Sequence, residues 1–164
     1  MATLGAELIT NPGFYIVITP WVIEGFEWVH NTDVMEYTDY GIDDTFYQTI
    51  SITSGKEYQI RTNIGTASAG GGSTLEFYLG GTLAGTLGDG DTGWHNITGT
   101  AGSNGKIEVT ANGVDSFSDY FEIYTVGVKE IISDEPDNCW TFENNLYSIP
   151  PDCLITISPE GVLS

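Results

Sequence analysis

The segment Tyr47-Gln48-Thr49-Ile50-Ser51-Ile52-Thr53 runs through Ser54-Gly55-Lys56 into Glu57-Tyr58-Gln59-Ile60, and it constrains the fold more than any other. Apolar and polar residues alternate, a turn interrupts them, and the alternation resumes. Side chains of an extended chain point to opposite faces in turn, so a period of two sends one set to a core and the other to solvent. A helix would need apolar residues three and four apart, and no part of this sequence sustains that stripe. The pattern predicts two strands paired as a hairpin across Ser54-Gly55-Lys56.

The same grammar continues to Ile132. Strand patterns at 6–10, 26–29, 34–37, 46–53, 57–64, 73–79, 82–87, 94–98, 106–111 and 120–132 are separated by turn residues such as Asn11-Pro12-Gly13, Gly80-Gly81 and Asn104-Gly105. Gly80-Gly81 has the composition of a two-residue hairpin loop. Short strands at this spacing predict an all-β chain, a jelly-roll β-sandwich over 1–132. The 21 Gly and nine Tyr fit many strands and tight turns. A chain of 164 residues buries roughly 70% of its unfolded surface, enough for a core without metal or disulfide support.

Composition changes at Ser133. Residues 133–164 carry Pro136, Pro150, Pro151, Cys139 and Cys153 and no Lys or Arg. They read as an extended C-terminal tail that packs on its own sandwich or on a neighbouring subunit. Its anchoring residues would be Trp140, Phe142, Leu146, Tyr147, Leu154, Ile155 and Ile157, because buried aromatic and aliphatic side chains dominate interface energy. Cys139 and Cys153 would close a loop worth about 3 kcal/mol if bridged; a pair of reduced thiols fits the sequence equally.

The charge is −19, from 23 acids against Lys56, Arg61, Lys106 and Lys129. Such a surface repels phosphate, which argues against nucleic acid and against anionic membranes as partners. No stretch approaches the ~20 apolar residues of a membrane helix. The N-terminal Met1-Ala2-Thr3-Leu4-Gly5-Ala6-Glu7 lacks the basic and apolar regions of a secretory signal, so the expectation is a protein made in the cytoplasm that either stays there or leaves by lysis or as part of a particle.

Catalytic residues are not evident. His30 and His95 have no nucleophile motif beside them, and Asp43-Asp44 reads as a solvated loop pair rather than the acid–base couple of a glycoside hydrolase. No metal site is predicted; Gly88-Asp89-Gly90-Asp91 is a weak calcium candidate, through Asp89 and Asp91, because calcium takes about six to eight oxygens and the loop offers fewer. Carbohydrate binding needs flat aromatic faces with a few polar groups beside them. Trp21, which follows Pro20 in a loop, is the leading candidate, with Tyr37 and Tyr40; Tyr47 is a further one. Trp28 and Trp94 lie within strand patterns and read as core. Asn96-Ile97-Thr98 fits a glycosylation sequon that has no secretory route to serve it.

Three pieces resemble the galactose-binding-like jelly rolls of the carbohydrate-binding module 4/9 type. They are Leu8-Ile9-Thr10-Asn11-Pro12-Gly13-Phe14, the segment from Tyr47 through Tyr58, and Phe121-Glu122-Ile123-Tyr124-Thr125-Val126-Gly127-Val128-Lys129-Glu130-Ile131. The family often has an acid after the opening Phe and another in the closing strand, which commonly support a calcium ion. Tyr15 and Tyr124 stand at those positions here. Domains of this look, ending in Val-Lys-Glu-Ile, are similar to tailed-phage structural proteins. The resemblance implies a non-enzymatic virion component: a head decoration, head fibre or tail accessory subunit. Its partners would be other virion proteins or further copies of itself, and a host-surface glycan. A free carbohydrate-binding module is the alternative, and a glycoside hydrolase a third reading.

Overall fold

A computed structural model of the chain describes residues 2–15, 18–25, 27–38, 43–68, 73–112 and 120–132, with the backbone of two short strands beyond them. Among these residues every regular element is a strand. In chain order they are β1 (Thr3–Glu7), β2 (Val22–Glu24), β3 (Trp28–Asn31), β4 (Val34–Thr38), β5 (Asp44–Thr49), β6 (Glu57–Ser68), β7 (Thr74–Leu79), β8 (Thr82–Leu87), β9 (Gly93–Thr100), β10 (Lys106–Asn112), β11 (Tyr120–Ile132), β12 (Thr141–Glu143) and β13 (Leu146–Ser148). The chain divides into a unit Leu4–Ile131 and a second unit of Met1–Thr3 with Ile132–Ser164. Within the second, β12 and β13 pair antiparallel, Phe142 opposite Tyr147.

The larger unit is a sandwich of two antiparallel sheets. One has the order β3-β4-β11-β6-β9, with β1 added along β11; the other has the order β2-β5-β10-β7-β8. Alternation fixes which residues meet between them. On β10, Ile107, Val109 and Ala111 are buried while Lys106, Glu108, Thr110 and Asn112 turn outward. On β7 the buried set is Leu75, Phe77 and Leu79. From the first sheet come Tyr58, Ile60, Ile64, Phe121, Ile123, Val126 and Val128, all but fully buried. At about 25 cal/mol per Å² of apolar surface removed from water, this two-layer core is the main source of stability.

Two contacts close the ends of the sandwich. Near β8 and β9 the layers approach so closely that a Cβ on Gly85 would lie 2.7 Å from Ile97 Cγ2, and one on Gly99 2.5 Å from Ala84 Cβ. At the other end Phe14, Trp21, Trp28 and Phe46 form a cluster of tilted and edge-on rings with centroids 4.7–5.9 Å apart, the geometry that ring quadrupoles favour. Gln48 ties the N-terminal segment to β5. Its Oε1 accepts the Thr10 N–H at 2.8 Å and its Nε2 donates to the Thr10 carbonyl at 2.8 Å.

The two strands around Ser54-Gly55 do not form a hairpin. β5 pairs with β2 and β10, whereas β6 pairs with β11 and β9 in the opposite layer. Residues 50–56 cross between the sheets, held by Ile50 N–H to the Gly105 carbonyl and by Gly55 N–H to the Ala101 carbonyl, each 2.9 Å. Period two says that each segment is a strand and leaves its partner open. The Gly80-Gly81 hairpin is present: φ is +61° and +82° there, and β7 pairs with β8 around it.

Candidate functional site

The outer face of the first sheet carries a groove of about 410 Å³. Its floor follows from strand register. Across β9, β6 and β11 the aligned rows are Trp94–Asn63–Thr125, Asn96–Arg61–Gly127 and Thr98–Gln59–Lys129. The alternate residues, Ile60, Thr62, Ile64, Val126 and Val128, point into the core. Leu4 and Glu7 of β1 and Pro12 complete the lining on the far side.

Trp94 is the dominant feature of the groove. The residue is 55% exposed, a large apolar side chain left uncovered. The Arg61 guanidinium lies 4.2 Å from the ring centroid. Such a cation–π contact is worth ~0.5–1 kcal/mol at an exposed site and favours this orientation of the ring. Gln59, Asn96 and Thr125 add amide and hydroxyl groups within the same groove.

Glu7 is built into the wall. Its Oε1 accepts the Val128 N–H at 2.7 Å and the Ile9 N–H at 3.1 Å. The space it fills is left by Gly127, where a Cβ would stand 2.9 Å from Glu7 Oε2. Tyr124 lies outside the groove with its ring across Gly65, where a Cβ would meet Tyr124 Cε2 at 2.1 Å.

The aromatic candidates read from sequence fall elsewhere. Trp21 is 4% exposed; its ring packs on Phe14 and Phe46, and its Nε1 donates to the Asn11 carbonyl at 3.1 Å. Tyr37 is fully buried beside Trp28 and Phe121. A sugar ring reaches neither, which corrects the expectation for both. Trp28 is core as expected, and Trp94 is not. Tyr47 lies on the outer face of the second sheet with the Lys106 ammonium 3.7 Å from its ring centroid. Tyr40 and the anchoring residues Trp140, Leu154, Ile155 and Ile157 lie outside the described residues, as do Cys139 and Cys153. Phe142, Leu146 and Tyr147 belong to the β12–β13 hairpin, described by its backbone.

The acids resolve into structural roles. Asp44 is 3% exposed; it is not a solvated loop residue, because the chain turns its carboxylate onto backbone donors. Asp91 Oδ2 accepts the Gly88 N–H at 2.8 Å and closes its own loop. Among the described residues no group of three or more His, Cys, Asp or Glu side chains converges as a metal site.

The outer face of the second sheet holds a shallower depression of about 300 Å³ bordered by Glu24, Thr45, Tyr78, Gly81, Glu108 and Thr110. The Tyr78 hydroxyl donates to Glu76. That hydrogen bond, aided by burial, pushes the phenol up to about 12. Burial, with a hydrogen bond to Glu122, raises Tyr120 to about 12 as well.

No family model and no curated protein matches the sequence. Solved structures do match the fold. The second N-terminal cellulose-binding domain of Cellulomonas fimi β-1,4-glucanase C is similar over 79% of this chain and 97% of its own, with 15% identity and a TM-score of 0.53. TmCBM61, in complex with β-1,4-galactotriose, covers 76% of this chain and 98% of its own with 16% identity and a TM-score of 0.47. The enzymatically active domain of bacteriophage CBA120 tailspike protein 4 is similar over 76% of this chain and 21% of its own, also at 16% identity and a TM-score of 0.47. The chain therefore has a jelly-roll β-sandwich of the kind found in carbohydrate-binding modules.

Proposed function

We propose that this domain binds a glycan, without catalysis, in the groove on the outer face of the first sheet. The observation that carries this reading is Trp94: an exposed, oriented indole with Arg61, Gln59 and Asn96 beside it. A sugar ring presents an apolar face of C–H bonds that stacks on an indole, and its hydroxyls seek the amide, hydroxyl and guanidinium groups around it. Likeness in fold to a cellulose-binding domain agrees with this reading. Glycoside hydrolysis needs two carboxyl groups roughly 5–9.5 Å apart, and among the described residues that line the groove Glu7 is the one carboxylate. Affinity electrophoresis through gels cast with a panel of polysaccharides tests the proposal. At least one polymer should retard the protein, and Trp94→Ala should migrate freely in it. Equal retardation of Trp94→Ala moves the site elsewhere.

We further propose that the glycan-binding domain belongs to a phage virion, where it would meet a host-surface glycan. The Val128-Lys129-Glu130-Ile131 ending, similar to that of tailed-phage structural domains, supports this, and the 133–164 tail would be the attachment to other virion proteins or further copies. A chain ended after Ile132 should keep its glycan binding and fail to join particles. Normal incorporation of that shortened chain removes the anchoring role.

A further inference from the structure

The charge in the groove runs against the charge of the molecule. The protein carries 23 acids and four Lys and Arg residues, and two of those four, Arg61 and Lys129, line this groove. Lys56 lies 3.6 Å from Glu130 in an ion pair, and Lys106 sits over the Tyr47 ring. Among the described residues, neither Arg61 nor Lys129 is within ion-pairing distance of a carboxylate. On so acidic a surface a cation with no described carboxylate in pairing distance is the unusual arrangement. Glu7 shares the groove and keeps its negative charge, with its Oε1 accepting the Val128 and Ile9 N–H groups, so the two cations outnumber the one described carboxylate of the lining.

Geometry gives the two cations a common target. Arg61 and Lys129 stand in adjacent rows of the floor, on the neighbouring strands β6 and β11, and Arg61 also stacks on Trp94. The guanidinium presents its N–H donors as a planar fork that fits a carboxylate. A saccharide packed against the part of Trp94 that Arg61 leaves uncovered would bring a ring carboxylate to that fork past the indole edge, with the Lys129 ammonium as a second charge.

Building on the glycan-binding reading, we infer that the preferred ligand is a uronic-acid saccharide whose carboxylate is received by Arg61 and Lys129. The neutral sugar ring meets Trp94, and the substituent charge sets the choice among glycans. The repulsive field of the whole molecule slows the approach of any anion, so the preference would arise from close contact and be expressed in the dissociation rate.

The test is calorimetric titration of the full chain with oligosaccharides of polygalacturonate, alginate and hyaluronan, each beside its carboxyl-reduced form, with a sulfated galactan as a further arm. One acidic oligosaccharide at least should bind ~tenfold or more tightly than its reduced form, the gain of one charge-assisted contact. The ratio should shrink in ~1 M salt, where the screening length falls to about 3 Å. In Arg61→Gln/Lys129→Gln the ratio should fall to about one, whatever happens to either affinity alone, and Arg61→Lys should restore part of it. Reduced forms bound as tightly as acidic ones, or a ratio unchanged in the double variant, overturns the inference and leaves glycan binding intact. Tighter binding of the sulfated galactan than of any uronate overturns the carboxylate assignment. No binding by any member, acidic or neutral, removes both readings together.

Discussion

The carboxylate of Asp44 and the backbone of Trp28 clasp one another across the two layers. Asp44 Oδ2 accepts the N–H groups of Glu27 and Trp28 at 2.6 and 3.2 Å, and the Trp28 indole N–H returns a bond to the Asp44 carbonyl at 3.0 Å. Asp44 Oδ1 takes the N–H of Thr45 at 2.7 Å. One buried acid thus satisfies the start of β3 and fixes it against β5. Gly25 makes room for it, since a Cβ there would stand 2.0 Å from Oδ1. Asp44→Ala removes the acceptor and leaves buried N–H groups unpaired, at about 1–3 kcal/mol each. Urea denaturation should show a loss of about 3 kcal/mol, with the glycan affinity of the remaining folded protein unchanged.

Gly80 and Gly90 both have positive φ, +61° and +78°, yet they are predicted to respond differently to alanine. A Cβ at Gly80 would meet the Gly102 carbonyl carbon at 2.5 Å, and that backbone is held by the Gly102 N–H bond to the Leu79 carbonyl. Gly90 faces open space. Gly90→Ala should cost roughly 1 kcal/mol of backbone strain. Gly80→Ala should cost about 2 kcal/mol or more, because backbone must move as well. Parallel thermal melts measure the difference, and equal losses would show that the Gly80–Gly102 approach is slack.

Alkali should weaken the fold before it weakens an average β-protein. Tyr78 and Tyr120 both have phenols raised from 10.0 to about 12. A folded state that holds its proton more tightly than the unfolded chain keeps the full stabilisation below pH 10 and loses it as pH rises to about 12. The midpoint of urea unfolding should therefore fall between pH 10 and 12. Tyr78→Phe and Tyr120→Phe together should flatten that fall. An unchanged slope in the double variant would assign the alkaline loss to other groups.

Much of the fold is written in alternation and turn chemistry. Tyr120–Ile132 and Thr82–Leu87 are strands with the bounds that the pattern predicts, and Gly80-Gly81 is legible because only such residues take two successive positive φ values cheaply. What alternation does not encode is the partner, so the crossover at 50–56 looks like a hairpin. Parity decides which aromatic side chain reaches the site. Trp94 and Ile97 are three apart and so point to opposite faces of β9; both are apolar, and only one can enter the core. Close approach to Gly85 and Ala84 admits Ile97 and Gly99, and an indole would not fit beside them. Trp94 is thereby sent outward, where Arg61 meets it. The spacing of Trp94, Ile97 and Gly99 held that signal. Trp21 escaped for a different reason: a Thr19-Pro20 step reads as loop, and nothing local reveals that Phe14 and Phe46 wait to cover the ring.

The groove is the centre of this account, and amide shift mapping tests it most directly. A ¹⁵N-labelled chain titrated with the best-retarded oligosaccharide should shift the Trp94 indole N–H, the Asn96 side-chain amide and the backbone signals of Arg61 and Gly127. The indole signals of Trp21 and Trp28 should stay in place. Shifts confined to the face formed by Glu108 and Tyr78, or movement of Trp21 with Trp94 silent, would contradict it.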